Sequence, residues 1–296
     1  MEHATTPAAR RAATFEQFRG RLRSIAYRML STRAEAEDIV QEAWLRWNSV
    51  TGDEIRAPEA WLVTATTRLC VDRLRQLRVE RETYVGPWLP EPMTLATAPP
   101  ADHATELASD LSVAFLAVLE RLAPEERAAF LLHDVFDSEY GDIAQILGKS
   151  ETACRQIVSR ARKRVRDDRP RVQVSAQART RLLHQLVTAV TTQDPAALMN
   201  VLATDATWTS DGGGKAKAAK KVIHGAEHVA RFALGVFHRY LEHIELRDIV
   251  VNGEAGLAVF YDGRLLSVIS ILTDGVRIFG VYSIINPDKL CSFRSE

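Results

Sequence analysis

Asp142-Ile143-Ala144-Gln145-Ile146-Leu147-Gly148-Lys149-Ser150-Glu151-Thr152-Ala153-Cys154-Arg155-Gln156-Ile157-Val158-Ser159-Arg160-Ala161-Arg162-Lys163-Arg164 reads as two short helices joined by a tight turn. Ile143, Ala144 and Leu147 place an apolar stripe on the first helix, Gly148 gives the turn its backbone freedom, and Ser150 is a good N-cap for the second. Cys154, Ile157 and Val158 then face the first helix, leaving Glu151, Thr152, Arg155, Gln156 and Ser159 outward. Such side chains at the start of a helix reach base edges in a major groove, while Arg160, Arg162, Lys163, Arg164 and Arg166 suit phosphates. The same spacing also fits a solvated amphipathic hairpin. The flanking charge favours nucleic acid, because the run from Arg155 to Arg171 sets many cations against only Asp167 and Asp168.

Working outward, 296 residues exceed one ordinary domain, and 46% hydrophobic with 26% charged residues is ordinary soluble composition rather than a disordered or membrane chain. The formal net charge is +0, so nucleic-acid binding must rest on local patches and on a partner that adds affinity. Cys70, Cys154 and Cys291 form no C-x-x-C or Cys/His array. They are expected as buried thiols in a reducing compartment, with no metal and no cofactor. The segment Met1 to Ala13 is polar and Ala-rich, which argues against a signal peptide, and no run reaches membrane-spanning length. A cytoplasmic location is expected.

Upstream, Phe15, Phe18, Leu22, Ile25 and Met29 predict an amphipathic helix stopping near Ser31, and Thr32-Arg33-Ala34-Glu35 predicts a capping box for a second. Ile39, Val40, Ala43, Trp44 and Trp47 form its apolar face; Glu35, Asp38, Gln41 and Glu42 form the other. A third helix opens at Pro58 and carries Trp61, Leu62, Leu69, Leu74 and Leu77 beside Arg68, Arg73, Arg75, Arg78 and Arg81. The three tryptophans sit at core-facing spacing. From Thr83 to about Thr105, prolines break all periodicity and predict a linker; helical spacing resumes at Leu107 and Leu111. Beyond Pro170 a helical pattern gives way to strand-like segments: 206–209, 244–251, 257–261, 265–272 and 276–285, with a helix over 226–240. This is an α+β domain whose mostly meandering sheet is expected to curl around a helix and enclose an apolar cavity.

Three of these motifs, in this order, resemble bacterial sigma factors of the extracytoplasmic-function group. Glu37-Asp38-Ile39-Val40-Gln41-Glu42-Ala43-Trp44-Leu45-Arg46-Trp47 is similar to the polymerase-core-binding signature. Trp61-Leu62 and Asp72-Arg73-Leu74-Arg75 resemble the minus-ten segment, and the helix-turn-helix resembles the minus-thirty-five reader. Trp88-Leu89-Pro90-Glu91-Pro92, Asp211-Gly212-Gly213-Gly214-Lys215 and Asn286-Pro287-Asp288-Lys289-Leu290 resemble the subgroup with a fused SnoaL-like C-terminal domain. At Arg68 many members of the wider family carry Asn.

The resemblance implies a multidomain chain: an all-α region-two domain over 14–82, a Pro-rich linker over 83–105, an all-α helix-turn-helix domain over 106–168 and an α+β SnoaL-like cone with a curved sheet over 172–290. It implies core RNA polymerase and promoter DNA as partners, with no enzymatic chemistry. Asp38, Gln41 and Glu42 would meet the polymerase. The loop Thr51 to Ala57 with Arg68, Asp72, Arg73, Arg75 and Arg78 would hold the minus-ten strand. Glu151, Thr152, Arg155, Gln156, Ser159, Arg160, Arg162 and Lys163 would serve the minus-thirty-five element. Trp88 and Leu89 would dock intramolecularly on Asp211, Gly213, Lys215, Asp288 and Lys289, making the last domain a regulator in cis. The alternative is a conventional DNA-binding regulator whose C-terminal domain senses a small molecule or acts as an enzyme through residues such as Asp205, Trp208, Asp211, His224, His228 and Tyr261. Gly212-Gly213-Gly214-Lys215 lacks the Walker spacing, so nucleotide binding is not expected.

Overall fold

The computed structural model of the chain describes residues 7–50, 55–94, 111–167 and 174–293. The expected helix start at Leu107, the Thr51 end of the minus-ten loop, the linker past Thr94 and Pro170 lie outside these. The chain divides into two compact units, one drawn from 1–80, 99–103 and 119–164, the other from 81–98, 104–118 and 165–296.

In the first unit, helix α1 spans Pro7–Leu30, earlier in its start than the apolar pattern indicates, and α2 spans Arg33–Ser49. Ser31, at φ 62°, ends α1 in the left-handed region. The capping box expected at Thr32 is not made: Thr32 has an extended N-cap backbone but no side-chain capping bond, and Glu35 is drawn away to Arg73. Helix α3, Pro58–Glu82, completes the group. Phe15 packs on Trp44 at 5.1 Å and Trp47 on Trp61 at 5.5 Å between ring centroids, so the tryptophans serve packing.

Helix α4 spans Val113–Leu119, α5 Pro124–Asp134, α6 Tyr140–Leu147 and α7 Glu151–Asp167. Arg127 on α5 is 1% exposed. Its Nε donates to the Leu119 carbonyl at 2.9 Å, it pairs with Glu120 at 2.7 Å, and it donates to the Met29 carbonyl at the end of α1. The Ser31 hydroxyl donates to Glu120 at 2.8 Å, completing a polar joint between the two helical groups.

In the second unit, α8 spans Ala176–Thr191 and α9 Pro195–Val201; Ser175 and Asp194 cap them, accepting from Ala178 and Ala197 amides. Strands β1 Leu202–Asp211, β2 Ile223–His224, β3 Ile244–Val251, β4 Glu254–Tyr261, β5 Arg264–Thr273 and β6 Ile278–Ile284 form one sheet in the order β2-β1-β6-β5-β4-β3. Helix α10, Ala226–His238, lies between β2 and β3 in the chain. Strands β3 to β6 meander as expected, but β1 joins β6 in parallel, and two-residue β2 was not anticipated.

Both faces of the sheet are covered. On one, Leu186, Val190, Val229 and Phe237 from the helices pack with Trp208, Ile269, Ile271 and Val281. On the other, Leu89 of the linker and Val113 of α4 pack with Val251, Val268, Ile284 and Phe293. This double burial explains why β5 is buried continuously from Ser267 to Ile271 rather than at alternate residues.

Candidate polymerase, promoter and linker surfaces

On α2, Asp38 and Gln41 are exposed, and Glu42 pairs with Arg46 at 2.9 Å. The same face carries Leu45, 54% exposed, which charge-based reading passed over. An apolar residue at i+7 from Asp38, interrupting an acidic stripe, was the available signal.

On α3 the five expected minus-ten residues divide. Arg78 is exposed and has no carboxylate partner among the described residues. Arg75 bridges Asp72 and Glu125, each at 2.8 Å. Exposed Arg68 donates to the carbonyls of Ile146 and Gln145 at 2.9 and 2.8 Å. Arg73 is the most heavily paired of the five: its fork grips Glu35 at 2.6 and 2.7 Å and Glu80 at 2.8 Å. Glu35 first and Glu80 second raise its pKa above the ordinary arginine value. Arg73 thus ties α2 to α3, and its charge is already committed.

The helix-turn-helix is built by α6, Gly148 and α7. Gly148 adopts φ 63°, its amide capping the Ala144 carbonyl, and the Ser150 hydroxyl accepts from the Ala153 amide at 3.2 Å. Cys154, Ile157 and Val158 are buried; on the first helix the buried set is Ile143, Ala144 and Ile146 rather than Leu147. Glu151, Thr152, Gln156, Ser159, Arg160 and Lys163 are exposed. Arg155 pairs with Glu151 at 3.1 Å and lies over the Tyr140 ring. Arg162 is engaged within the protein, since Asp134 holds its Nε at 2.8 Å and raises its pKa. It links α5 to α7. Arg160 and Lys163 have no ion-pair partner among the described residues.

The linker motif meets the C-terminal motifs directly. Asp211 is 0% exposed. Its carboxylate accepts from the Tyr84 hydroxyl at 2.5 Å, the Leu89 amide at 2.8 Å and Lys289 Nζ at 2.7 Å. Lys289 Nζ also donates to the Leu89 carbonyl at 2.5 Å, so one buried ion pair satisfies both backbone groups of Leu89. Trp88 lies between two cations, with Arg81 3.7 Å and Lys289 3.9 Å from its ring centre. Burial, then the hydrogen bond to Asp211, raises the Tyr84 phenol well above its ordinary pKa.

The glycines have a steric reason. Gly213 has φ 58°, and a Cβ there would stand 2.2 Å from Asn286 Nδ2, which donates to the Tyr84 hydroxyl at 3.0 Å. Lys215 pairs with Asp288 at 2.5 Å on the outside of this turn.

Two family descriptions match the chain, "Sigma-70 region 2" over residues 14–79 and "Sigma-70, region 4" over 112–165. The ECF RNA polymerase sigma factor SigJ of Mycobacterium tuberculosis is 39% identical over 288 residues, covering 93% of this chain and 91% of that protein. The chain belongs to the ECF RNA polymerase sigma factors. The probable ECF sigma factor SigI of the same organism is 28% identical over 292 residues, 96% of each chain. The crystal structure of SigJ superposes with a TM-score of 0.74 at 37% identity over 95% of this chain and 98% of that one. Like its family, this sigma factor works with core RNA polymerase in promoter-specific initiation, and the conventional-regulator alternative gives way to that assignment.

Beyond the sigma regions, Asp205, His224 and His228 are exposed, Trp208 donates to Ser210 at 3.0 Å, Tyr261 stacks edge-on with Tyr240, and Asp211 is taken by the linker. Among them His228 Nδ1 lies 3.1 Å from the His224 carbonyl, and these six do not line one described pocket. A cleft of about 890 Å³ opens instead between α8 and α9, lined by residues including Thr180, His184, Gln185 and Asn200. Cys70 and Cys154 are buried, and burial raises both thiol pKa values; Cys291 is exposed, contrary to expectation. Among the described residues, no helix is long and apolar enough to cross a membrane.

Asn252 was missed altogether. Fully buried in the β3–β4 turn at φ 53°, it accepts from the Met93 amide at 2.8 Å and donates to the Leu111 carbonyl at 2.8 Å. The Asn252-Gly253 dipeptide, a strong hairpin signal between apolar runs, marked the turn.

Proposed function

We propose that the C-terminal domain of this ECF sigma factor regulates it in cis by holding the linker between regions two and four. The observation that carries this is the buried Asp211–Lys289 pair, which engages the amide and carbonyl of Leu89 together. A buried ion pair is a costly way to gain stability and suits a contact whose register matters. Because the domain is tethered, the contact acts at high effective concentration and needs no separate inhibitor. Within this reading, Asp38, Gln41, Glu42 and the added Leu45 face the polymerase. Arg68, Asp72, Arg75 and Arg78 face the minus-ten strand, and Glu151, Thr152, Arg155, Gln156, Ser159, Arg160 and Lys163 face the minus-thirty-five duplex.

The test is transcription from a cognate promoter with purified core polymerase, comparing the full chain with Trp88→Ala and with Asp211→Asn. Severalfold changes in output at unchanged core affinity are expected. Equal output and equal core affinity from all three chains would remove the regulatory role.

A further inference from the structure

We propose that Lys217, Lys220 and Lys221, on the loop between β1 and β2, form a phosphate-binding surface for the duplex that separates the minus-ten and minus-thirty-five elements. The surface adds a sequence-independent DNA contact to the two promoter-reading regions, and it stands whether or not the contact with Leu89 regulates initiation.

The sequence concentrates lysine in this loop. Of the 38 lysines and arginines only seven are lysines, and four of these, Lys215, Lys217, Lys220 and Lys221, fall between Gly212 and Gly225, an interval with no Asp or Glu. Arginine carries most of the remaining positive charge, and its planar fork finds carboxylates within the protein, as at Arg73 and Arg162. An ammonium is a compact, strongly hydrated point charge with no fork to match, which suits the uniform rows of phosphates along a duplex. Lys215 is paired with Asp288. Lys217, Lys220 and Lys221 are exposed and have no ion-pair partner among the described residues.

The loop is built rather than slack. The amides of Lys215 and Ala216 both donate to the Gly212 carbonyl at 3.0 Å. A Cβ on Gly212 would stand 2.5 Å from the Ala216 oxygen and 2.8 Å from the Ala218 Cβ, so only glycine lets the chain fold back this closely. Ala216, Ala218 and Ala219 are half-buried in that fold, and the lysines between and after them are left at the surface. Both ends of the loop rest on the first residues of the linker, all within the second compact unit. A Cβ on Gly214 would lie 3.3 Å from the Val85 side chain, and one on Gly86 would lie 3.8 Å from Lys220 Cα and 3.9 Å from the Ala219 oxygen. Three free cations are thereby seated on the stretch of chain that leaves α3.

That position selects the anion. The linker joins the region that reads the minus-ten element to the region that reads the minus-thirty-five element, so a surface seated on it meets the DNA between them. The loop offers ammonium groups among alanines, with no forked or amide side chain to read a base edge, and its contacts are therefore with phosphates. Each phosphate so neutralised releases counterions, which gives the contact a salt dependence of its own.

The test uses the full chain bound to core polymerase, with Lys217→Gln, Lys220→Gln and Lys221→Gln combined in one variant and the three corresponding changes to Arg in another. Affinity for a promoter duplex is read by fluorescence anisotropy over a salt series. The Gln variant should lower the salt slope by about 2 to 3, at about 0.9 for each phosphate contact, and the Arg variant should keep the wild-type slope. A second duplex carries uncharged methylphosphonates between the two elements. Wild type should lose affinity for it severalfold, while the Gln variant should bind both duplexes nearly alike. A lower slope with the methylphosphonate loss unchanged would put the contact elsewhere on the DNA and overturn the assignment. A Gln variant, verified as folded by circular dichroism, that keeps the wild-type slope refutes the proposal and leaves a solvated loop. Weaker core binding at an unchanged slope refutes it as well, placing the loop against an acidic polymerase surface instead.

Discussion

Replacing Lys289 by Met should release the linker from the C-terminal domain while leaving that domain folded. Methionine keeps an unbranched apolar stem, so packing around the chain is largely preserved. What is lost is the 2.7 Å pairing with Asp211, the 2.5 Å bond to the Leu89 carbonyl and the cation 3.9 Å from the Trp88 ring. Removing one partner of a buried pair costs about 3–5 kcal/mol, because the other charge stays buried uncompensated. Asp211 keeps the Tyr84 hydroxyl and the Leu89 amide as donors, which places the expected loss near the lower end, about 3 kcal/mol. At 1.4 kcal/mol per decade, the docking equilibrium falls by about a hundredfold. The assay is amide hydrogen exchange. The Leu89 amide, bonded to Asp211, should exchange about a hundredfold faster, while amides of Leu186 and Val190 in the α8 core stay protected. Pairing the change with Asp211→Asn should restore much of the loss, since neither charge then remains buried. Leu89 exchange within about twofold of wild type in the single variant would refute the reasoning, because a pair worth 3 kcal/mol cannot vanish silently.

Gly213→Ala should act on the same clasp by a steric route. Its φ of 58° and a Cβ 2.2 Å from Asn286 Nδ2 force Asn286 off Tyr84, lowering stability by about 1–3 kcal/mol and speeding Leu89 exchange; an unchanged melting temperature would contradict this. Arg162→Ala should cost about 1 kcal/mol of stability through its lost pair with Asp134 and leave the salt dependence of promoter binding unaltered. Lys163→Ala should lower that salt slope by about 1, as fluorescence anisotropy over a salt series would read. Lys149 first and Arg75 second hold the Glu125 carboxyl below its ordinary pKa. The stability this carboxylate contributes is therefore fully present above about pH 4.3 and is lost as pH falls through the lower folded-state value. The stability gap between wild type and Glu125→Gln should accordingly close only in acid, below the ordinary carboxylate range, and a gap that widened as the pH fell through that range would overturn the assignment.

Local signals in the sequence carried well. Gly148 and Ser150 mark the turn of the helix-turn-helix because a left-handed cap and a hydroxyl cap each have a residue preference, and β3 is read at its observed bounds. Nonlocal pairing did not carry. Strand β1 joins β6 across some seventy residues, and two-residue β2 is too short to have a pattern. Charge was the least legible property. Arg73 and Arg162 look no different from Arg78 and Lys163 in the chain, and only the fold brings Glu35 and Asp134 against the first two. The same limit hid Arg127, an arginine 1% exposed on a helix that the sequence makes ordinary. The clasp motifs were legible as motifs, but not that Asp211 and Lys289 would meet on the backbone of Leu89.

Asn252 grips the Met93 amide with one end of its amide group and the Leu111 carbonyl with the other. Chain leaving at 93 and returning at 111 is thereby fastened at a single stem, whatever lies between. Closure entropy grows only slowly with contour length, by about 0.6 kcal/mol per doubling. The stem therefore sets where Val113 enters the sheet largely independently of the length of chain it closes, and Asn252→Ala should free Met93 and Leu111 together.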